Sequence, residues 1–329
     1  MNRPQILLTG ATGLVGHHLA ASLLEANYRV RAFHRSGSNT SYLPIGHQQL
    51  ELFEGDILDV FKLEEAMAGC QRIIHAAALV SFSPKDRKKL DQINQEGTAN
   101  VVNLALEQDV ERLVYVSSVA ALGRESGTAQ PCTLEDNWQA KRAITNYAAS
   151  KFAAEREVWR AQAEGLRVST IYPSVIVGSG DPNRGGTPAL FERIKAGQNT
   201  YPTGSSAFVA IEDVVAACLH LLEENEDKRI LCHGHNMSWQ DFLSLSAKKL
   251  SVNAPSQKVS PWQSAMAWPA AALWSKLNGQ SPFITRDRHR LAHARYSYSG
   301  NSFEQTVGRP FSPLDEAIEK AVNKMKFTA

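Results

Sequence analysis

Short apolar runs recur through the first half of the chain, and segments with apolar residues at helical spacing, such as Leu14 to Ala26, lie between them. Short continuous apolar runs are typical of parallel strands that are buried on both faces. The five predicted strands are Ile6 to Leu8, Arg29 to His34, Leu50 to Phe53, Arg72 to Ala76 and Arg112 to Ser117. Their alternation with helices predicts an α/β fold with a doubly wound parallel sheet.

Further elements follow from the same periodicity. Helices are predicted to begin near Val60 and to span Leu90 to Gln108, Tyr147 to Glu164 and Ser312 to Met325, and Arg229 to Cys232 is a strand candidate. Gly178 to Gly186 is rich in glycine, proline and polar residues, which predicts a flexible loop at the mouth of a pocket. Pro255 to Trp274 carries three tryptophans but is too short in its apolar part to span a bilayer. Buried packing and contact with a membrane surface both remain open for this stretch.

The first strand ends in a glycine turn, TGATGLVG from Thr9 to Gly16, that leads directly into a helix. Gly10 permits the tight turn, Gly13 lets backbone approach a pyrophosphate, and Gly16 lets the helix pack close to the sheet. The N–H groups at the start of the helix then point toward the phosphates. Strand, turn and helix in this order favour a bound dinucleotide over a glycine-rich turn without a ligand.

The end of the second strand bears on which dinucleotide is bound. NAD sites place a carboxylate there to accept hydrogen bonds from the adenosine ribose, yet no Asp or Glu occurs between Ala26 and Leu50. Arg35 and Ser36 follow the strand instead, and Arg31 lies within it. A guanidinium suits the 2′-phosphate of NADP. The positive charge of Arg35 therefore favours NADP over NAD. The alternative interpretation is that Arg35 is a solvated arginine on a loop.

Two more strand ends carry candidate cofactor contacts. Asp56 follows the third strand, where a carboxylate either hydrogen-bonds the adenine amino group or caps the next helix. Ala76, Ala77 and Ala78 follow the fourth strand. Such small side chains suit close approach to a cofactor, and they are equally ordinary in tight core packing.

A tyrosine and a lysine with helical spacing follow the fifth strand. Tyr147 and Lys151 lie at i and i+4 and therefore share one face of a helix. A lysine ammonium near a phenol favours the phenolate and brings tyrosine toward use as a proton donor. This spacing alone recurs by chance. Together with Ser118 at a strand end and the glycine turn, it becomes specific.

These motifs and several others resemble those of the extended short-chain dehydrogenases/reductases, the NAD-dependent epimerase/dehydratase family, over nearly the whole chain. The similar motifs are TGATGLVG (Thr9 to Gly16), GDILD (Gly55 to Asp59), HAAA (His75 to Ala78), NQEGT (Asn94 to Thr98), SSVAALG (Ser117 to Gly123), YAASK (Tyr147 to Lys151), YPSVIVGSGD (Tyr172 to Asp181) and VAIEDVVAAC (Val209 to Cys218). VRAFHRSGS and LVSFSPKDR are most similar to the dihydroflavonol-4-reductase-like branch, which is close to the 3β-hydroxysteroid dehydrogenases.

The resemblance implies an oxidoreductase that moves hydride between NADPH and a small-molecule carbonyl or alcohol. Tyr147 is expected to donate the proton, Ser118 to hydrogen-bond the substrate oxygen, Lys151 to bind the nicotinamide ribose, and Asn94 to hold a water or backbone group in a proton relay. The implied cofactor contacts are Thr9, Gly10, Thr12, Gly13, Leu14, Val15, Gly16, Arg35, Asp56, Ile57, Ala76, Ala77, Ala78, Tyr147, Lys151, Tyr172, Pro173 and Val175. Phe82, Ser118 and Tyr147 are the expected substrate contacts; the Arg124 to Trp138 loop and the tryptophan-rich stretch also hint at an apolar or aromatic molecule.

Two other functions remain open. One is an NAD(P)-dependent nucleotide-sugar epimerase or dehydratase, although Val119 and Ala120 replace the Asp-Glu that follows the catalytic residue in sugar dehydratases. Ile171 to Ser174 also lacks the asparagine that usually grips a sugar diphosphate. The other is a dinucleotide-binding regulatory protein without catalysis. The intact Ser118, Tyr147 and Lys151 disfavour it.

The resemblance also implies a division of the chain. Residues 1–175 are expected to form a Rossmann domain to which 208–235 return, and 176–207 with 236–329 a smaller substrate-binding subdomain. The helices holding Asn94 and Tyr147 form a dimer bundle in many relatives, so a homodimer is expected.

Composition and charge bear on the expected partners, metals and location of the protein. The formal net charge of +2 gives no reason to expect a nucleic-acid partner. The four cysteines, Cys70, Cys132, Cys218 and Cys232, are too scattered for a disulfide framework or a zinc cluster, so no metal is expected. The first strand begins close to Met1, which leaves no room for a signal peptide, so we expect a cytoplasmic protein.

Overall fold

The computed structural model describes residues 3–123, 126–128, 130–135, 145–266, 268 and 285–325. Its strands are Gln5–Thr9 (β1), Arg29–His34 (β2), Leu50–Glu54 (β3), Arg72–His75 (β4), Arg112–Val116 (β5), Val168–Pro173 (β6), Val175–Val177 (β7), Thr200–Pro202 (β8), Ser205–Ala210 (β9), Arg229–Cys232 (β10), His235–Ser238 (β11) and Gln257–Val259 (β12). Its helices are Leu14–Glu25 (α1), Val60–Met67 (α2), Arg87–Leu90 (α3), Gly97–Glu107 (α4), Asn146–Ala163 (α5), Gly186–Lys195 (α6), Ile211–Glu223 (α7), Trp239–Lys249 (α8), Arg286–His293 (α9), Ser302–Val307 (α10) and Leu314–Lys324 (α11).

A seven-stranded parallel sheet in the order β10-β6-β5-β4-β1-β2-β3 forms the centre of the fold. The strand order reverses between β1 and β4, and in such sheets ligands bind outside the carboxyl ends of the strands at this reversal. The predicted doubly wound sheet is confirmed. The glycine turn follows β1, directly at the reversal.

The inner strand β1 is apolar on both faces, which explains its continuous apolar run. Leu7 packs into one buried cluster, while Ile6 and Leu8 pack into the cluster on the other face. Successive side chains of a strand point to opposite faces, and helices cover both faces of this strand. Toward the edge of the sheet, β2 and β3 also carry charged residues such as Arg31 and Glu51.

Two small sheets lie outside the large one, in the orders β11-β9-β7 and β12-β8. A third apolar cluster joins β9 to α6, α8 and α11 through Phe208, Phe191, Phe242 and Ile318. Within 208–235, β10 enters the large sheet, whereas β9 at its start pairs with β7 and β11. The division into two domains stays a prediction.

Predicted and observed elements differ in a few places. The helix predicted over Leu90 to Gln108 is interrupted by a π-helical turn at Asp91–Glu96, between α3 and α4. Trp262 is 65% exposed, so it is not buried by packing, and Trp274 lies outside the described residues. None of the helices in the described ranges is long and apolar enough to cross a membrane.

Candidate active site and cofactor cradle

The glycine turn between β1 and α1 is closely packed. Gly10 has a φ of +69°, and a Cβ atom there would lie 2.6 Å from the backbone nitrogen of Ala77. A Cβ on Gly16 would collide with the carbonyl of Gly10, whose oxygen accepts the N–H of Gly13 at 2.9 Å. No side chain of the described residues caps the start of α1. The turn thus presents bare backbone and uncapped N–H groups, which fits a bound pyrophosphate.

The segment after β4 lies against this turn. The N–H of Ala77 donates to Thr9 Oγ1 at 3.3 Å, which ties the alanines to the end of β1. Ile57, after β3, is buried, and a side chain at Gly97 would collide with it. The backbone of Ala77 therefore lies directly beside the turn. The predicted contacts of the alanines with a cofactor remain a prediction.

A cavity of about 530 Å³ opens beside the ends of β2 and β3. It is lined by Arg35, Ser36, Gly37, Ser38, Glu54, Gly55, Asp56, Lys62 and Arg184. Asp56 does not cap α2: its carboxylate accepts the N–H of Leu58 at 3.0 Å, and Asp59 caps the helix by accepting the N–H of Lys62 at 3.1 Å. The structure therefore brings Asp56 and Arg35 to one cavity.

Arg31 does not share this cavity. Its Nε lies 2.8 Å from a carboxylate oxygen of Glu51, and its Nη1 donates to the carbonyls of Ala66 and Ala68, each at 2.8 Å. These partners lie on β3 and at the end of α2. The Arg31 guanidinium is therefore hydrogen-bonded to these two elements, and Arg31 is not among the residues that line the cavity beside Arg35.

Tyr147 and Lys151 lie on α5, whose first turn is capped by the Thr145 hydroxyl accepting the N–H of Ala148 at 3.0 Å. Lys151 is 2% exposed. Its ammonium donates to the Tyr115 hydroxyl at 2.8 Å and to the Val116 carbonyl at 2.9 Å, both on β5. Burial lowers the pKa of Lys151 to about 7, opposed by the charge of Glu155. Within the described residues no acceptor is found for the third ammonium proton, which suits a ribose hydroxyl.

The predicted substrate contacts are near one another. The Phe82 ring meets the Tyr147 ring edge-on, with 5.9 Å between centroids. The Phe82 carbonyl accepts from the Thr285 hydroxyl at 2.8 Å, which fixes the loop that carries it. Ser118 begins a 3₁₀ turn after β5, and α5 packs against this turn. Part of the Arg124 to Trp138 loop lies outside the described residues.

Asn94 lies in the π-helical turn and is buried. Its Oδ1 accepts the N–H of Leu79 at 2.7 Å, and its Nδ2 donates to the Leu79 carbonyl at 3.0 Å and to Ser150 Oγ at 2.8 Å. Asn94 therefore joins the segment after β4 to α5, one residue before Lys151. A π-helical turn widens the helix locally and re-aims its side chains, as is frequent at functional sites.

Glu155 was missed by sequence reasoning, although it lies four residues after Lys151 on the same helix. It is 1% exposed and accepts from Ser117 Oγ at 3.0 Å and from the Tyr172 hydroxyl. That hydroxyl also accepts from Arg229 Nε at 2.9 Å. Burial raises the pKa of Glu155. These bonds occupy the Tyr172 hydroxyl, and the predicted cofactor contacts of Tyr172 and Pro173 remain a prediction.

A buried polar chain, also missed, connects the site to the glycine turn. His75 lies between the Thr9 hydroxyl, 2.7 Å from Nδ1, and the Thr98 hydroxyl, 3.0 Å from Nε2. Thr98 donates to the Asn94 carbonyl at 2.6 Å. Burial lowers the pKa of His75 to about 3, so the ring is neutral near pH 7. Neutral His75 has one N–H to donate, and it accepts at the other nitrogen.

Metal ligands are a separate question. No group of three or more His, Cys, Asp or Glu side chains suited to a metal ion is found in the ranges that the structure describes. His233 and His235, next to Cys232, place their Nε2 atoms 3.2 Å and 2.9 Å from the carbonyls of Gly300 and Ser312.

The strand reversal beside a glycine cradle defines a dinucleotide-binding Rossmann fold. The model of the NAD dependent epimerase/dehydratase family matches residues 6–232. A putative dihydroflavonol 4-reductase of Synechocystis sp. is 31% identical over 328 residues, covering 96% of this chain and 93% of that protein. The chain therefore belongs to the NAD dependent epimerase/dehydratase family, and its resemblance to the dihydroflavonol-reductase-like branch is confirmed.

Solved structures agree with this fold. The crystal structure of gox2253 superposes with a TM-score of 0.83 at 26% identity, covering 98% of this chain and 97% of that one. Bordetella bronchiseptica WbmH, solved in complex with NAD⁺, has a TM-score of 0.77 at 21% identity and covers 98% of both chains. The chain is thus a member of an NAD(P)-binding oxidoreductase family.

Proposed function

We propose that the protein is an NADP-dependent oxidoreductase that interconverts a small-molecule carbonyl compound and its alcohol. The observation that carries this proposal is the arrangement on α5. Tyr147 is half-buried beside Phe82, while Lys151, one turn later, is buried with its ammonium held against β5. This arrangement supports a role for Tyr147 toward a substrate and for Lys151 toward a cofactor.

The residues divide the chemistry of reduction between them. NADPH, when bound, supplies the hydride that reaches the carbonyl carbon. Tyr147 gives its phenolic proton to the carbonyl oxygen, and Ser118 hydrogen-bonds the same oxygen as charge develops there. Lys151, as an ammonium, holds the ribose hydroxyls, and its positive charge favours the phenolate that Tyr147 becomes on giving up its proton. Asn94 keeps Leu79 and Ser150 in place around them.

Arg35 supports NADP as the cofactor. Arg35 is exposed and lines the cavity at the end of β2. The end of this strand carries no Asp or Glu, the residue type that an NAD site uses there. Glu54 and Asp56 also line this cavity, so recognition of the 2′-phosphate depends on how the cations are placed. The remaining glycine-turn contacts, from Thr9 to Gly16, hold the pyrophosphate in this proposal.

An apolar or aromatic substrate is supported by Phe82 beside Tyr147 and by similarity to a putative dihydroflavonol 4-reductase. We extend the proposal to a Rossmann domain of residues 1–175 with 208–235, a substrate-binding subdomain of the remaining residues, a homodimer and a cytoplasmic location. The division into domains and the homodimer rest on the family resemblance.

Turnover with a panel of aldehydes, ketones, flavonoids and steroids tests the function. We expect net NADPH oxidation, and we expect Tyr147→Phe to abolish it while NADPH affinity changes by less than about threefold, because the phenol acts on substrate. Tyr28→Phe is the matched control: the Tyr28 hydroxyl is buried without a hydrogen-bond partner among the described residues. Near-wild-type turnover of Tyr147→Phe contradicts the proton-donor role. Tightly retained NAD with no net NADPH oxidation indicates a nucleotide-sugar epimerase or dehydratase instead.

A further inference from the structure

The loop at 178–186, between β7 and α6, lies on the glycine turn. The Ser179 carbonyl is 3.0 Å from His18 Nε2 on α1. A Cβ on Gly180 would lie 3.2 Å from Leu14 Cδ1 and 3.3 Å from His17 Cε1, so this backbone packs directly on the first turns of α1. The predicted flexible loop is therefore fixed by contacts at this point. It approaches the part of the fold that holds dinucleotide phosphates.

Arg184 is the last residue of a 3₁₀ turn, Pro182–Arg184, within this loop. The Asp181 carboxylate caps the start of the turn by accepting the N–H of Asn183 at 3.0 Å, and Gly185, with a φ of +85°, follows its end. The Arg184 side chain is 35% exposed, and its Nη1 donates to Thr12 Oγ1 at 3.1 Å. Its Nε lies 3.9 Å from the Asp181 carboxylate, too long for a hydrogen bond. The guanidinium therefore keeps most of its N–H groups available.

Arg184 and Arg35 line the same cavity, although they are far apart in sequence. Lys62, the third cation there, has its ammonium 2.7 Å from Glu65. The two guanidinium groups are thus the cations suited to a phosphate, and the planar fork of arginine matches phosphate oxygens. Arg35 follows β2, where the adenosine ribose of a dinucleotide lies in this fold. A phosphate on that ribose would meet both arginines.

We propose that Arg184 is a specificity-determining residue that binds the 2′-phosphate of NADPH together with Arg35. This inference rests on the proposed use of NADPH and deepens it. The loop would supply one half of the phosphate site and β2 the other. Cofactor preference then depends on the loop at 178–186 as well as on the sequence after β2.

Isothermal titration of the cofactor-free protein with NADPH, NADH and adenosine 2′,5′-bisphosphate tests this assignment. We expect Arg184→Gln to raise the Kd for NADPH and for the bisphosphate by about tenfold or more, because a charged hydrogen bond to phosphate is lost. The Kd for NADH should change by less than about twofold. For Arg184→Lys, which keeps the charge but loses the planar guanidinium, the Kd for NADPH should lie between those of the wild type and Arg184→Gln. Arg29→Gln, which removes an exposed cation at the opposite end of β2, is the control and should change none of these constants.

The possible outcomes separate this inference from the proposed function. An unchanged Kd for NADPH in Arg184→Gln overturns the assignment, and so does an equal rise for NADPH and NADH, which would place Arg184 on the pyrophosphate. If the wild type binds NADH as tightly as NADPH, the proposed cofactor preference fails first. Melting temperatures of the variants check that their folds are intact, which the partial exposure of Arg184 leads us to expect.

Discussion

Replacement of Lys151 by methionine tests whether the active site lowers the stability of the fold. The Lys151 ammonium is buried and, among the described residues, donates to two acceptors, the Tyr115 hydroxyl and the Val116 carbonyl. Burial lowers its pKa from 10.5 to about 7. Between these values the unfolded chain binds a proton that the folded protein does not. The free energy of unfolding contributed by Lys151 therefore rises with pH across this window, and below it the folded protein bears the full cost of the charge.

The expected magnitude follows from the two pKa values. A difference of about 3.5 pH units, at about 1.4 kcal/mol for each, corresponds to about 5 kcal/mol of destabilisation below pH 7 as an upper limit. Lys151→Met keeps the apolar stem, removes the charge and gives up two hydrogen bonds worth about 1 kcal/mol each. We expect the variant to be more stable than the wild type by about 2–3 kcal/mol at about pH 6. At about pH 9 this advantage should be close to zero.

Urea unfolding of the cofactor-free proteins, followed by tryptophan fluorescence at several pH values, measures this difference. Lys85→Met replaces an exposed lysine and should show no such dependence on pH. The reasoning is refuted if Lys151→Met is less stable than the wild type at about pH 6, or if the difference between them does not change with pH. Turnover with NADPH should be lost in Lys151→Met at every pH, because the ribose contact is gone.

Three further results are expected. Arg35→Asp should reverse the ratio of the NADPH and NADH dissociation constants, because it removes a cation and supplies an acceptor for the ribose hydroxyls; equal affinities in the wild type would refute the charge argument. Phe82→Ala should raise KM about tenfold or more for aromatic ketones and less for short aliphatic ones, because it removes the ring that packs on Tyr147; steady-state kinetics decides, and an equal change for both substrate types would count against an apolar wall. Light scattering at micromolar concentration should give a dimer mass, and a monomer mass would show that the expected homodimer is wrong.

Local sequence patterns were sufficient for most of the central sheet. The bounds of β2 and β10 agree with prediction at both ends, and those of β3, β4 and β5 agree within one residue. Strands buried on both faces are rich in apolar residues, and this enrichment identifies them without knowledge of their neighbours. The glycine turn is similar, since Gly10 and Gly16 are required by backbone contacts at the turn itself.

The π-helical turn around Asn94 shows where such patterns are insufficient. The apolar spacing from Leu90 to Gln108 fits an uninterrupted helix, yet the backbone widens at Asp91–Glu96. Asn94 there bonds to Leu79 and to Ser150, which belong to two other segments. These tertiary bonds accompany a local departure that helical propensity does not favour.

The class of fold, the glycine cradle and the spacing of Tyr147 and Lys151 follow from local sequence, because each depends on residues within a few positions of one another. The partners of the charged side chains, in contrast, are known only from the folded chain. Arg31 and Arg35 are both arginines near the end of β2, but the first is hydrogen-bonded to Glu51 and to α2, and the second faces the cavity. Arg184 meets Thr12 across 172 positions of sequence. The partners of a cation depend on which distant segments the fold brings near it, and local sequence patterns contain no information about those segments.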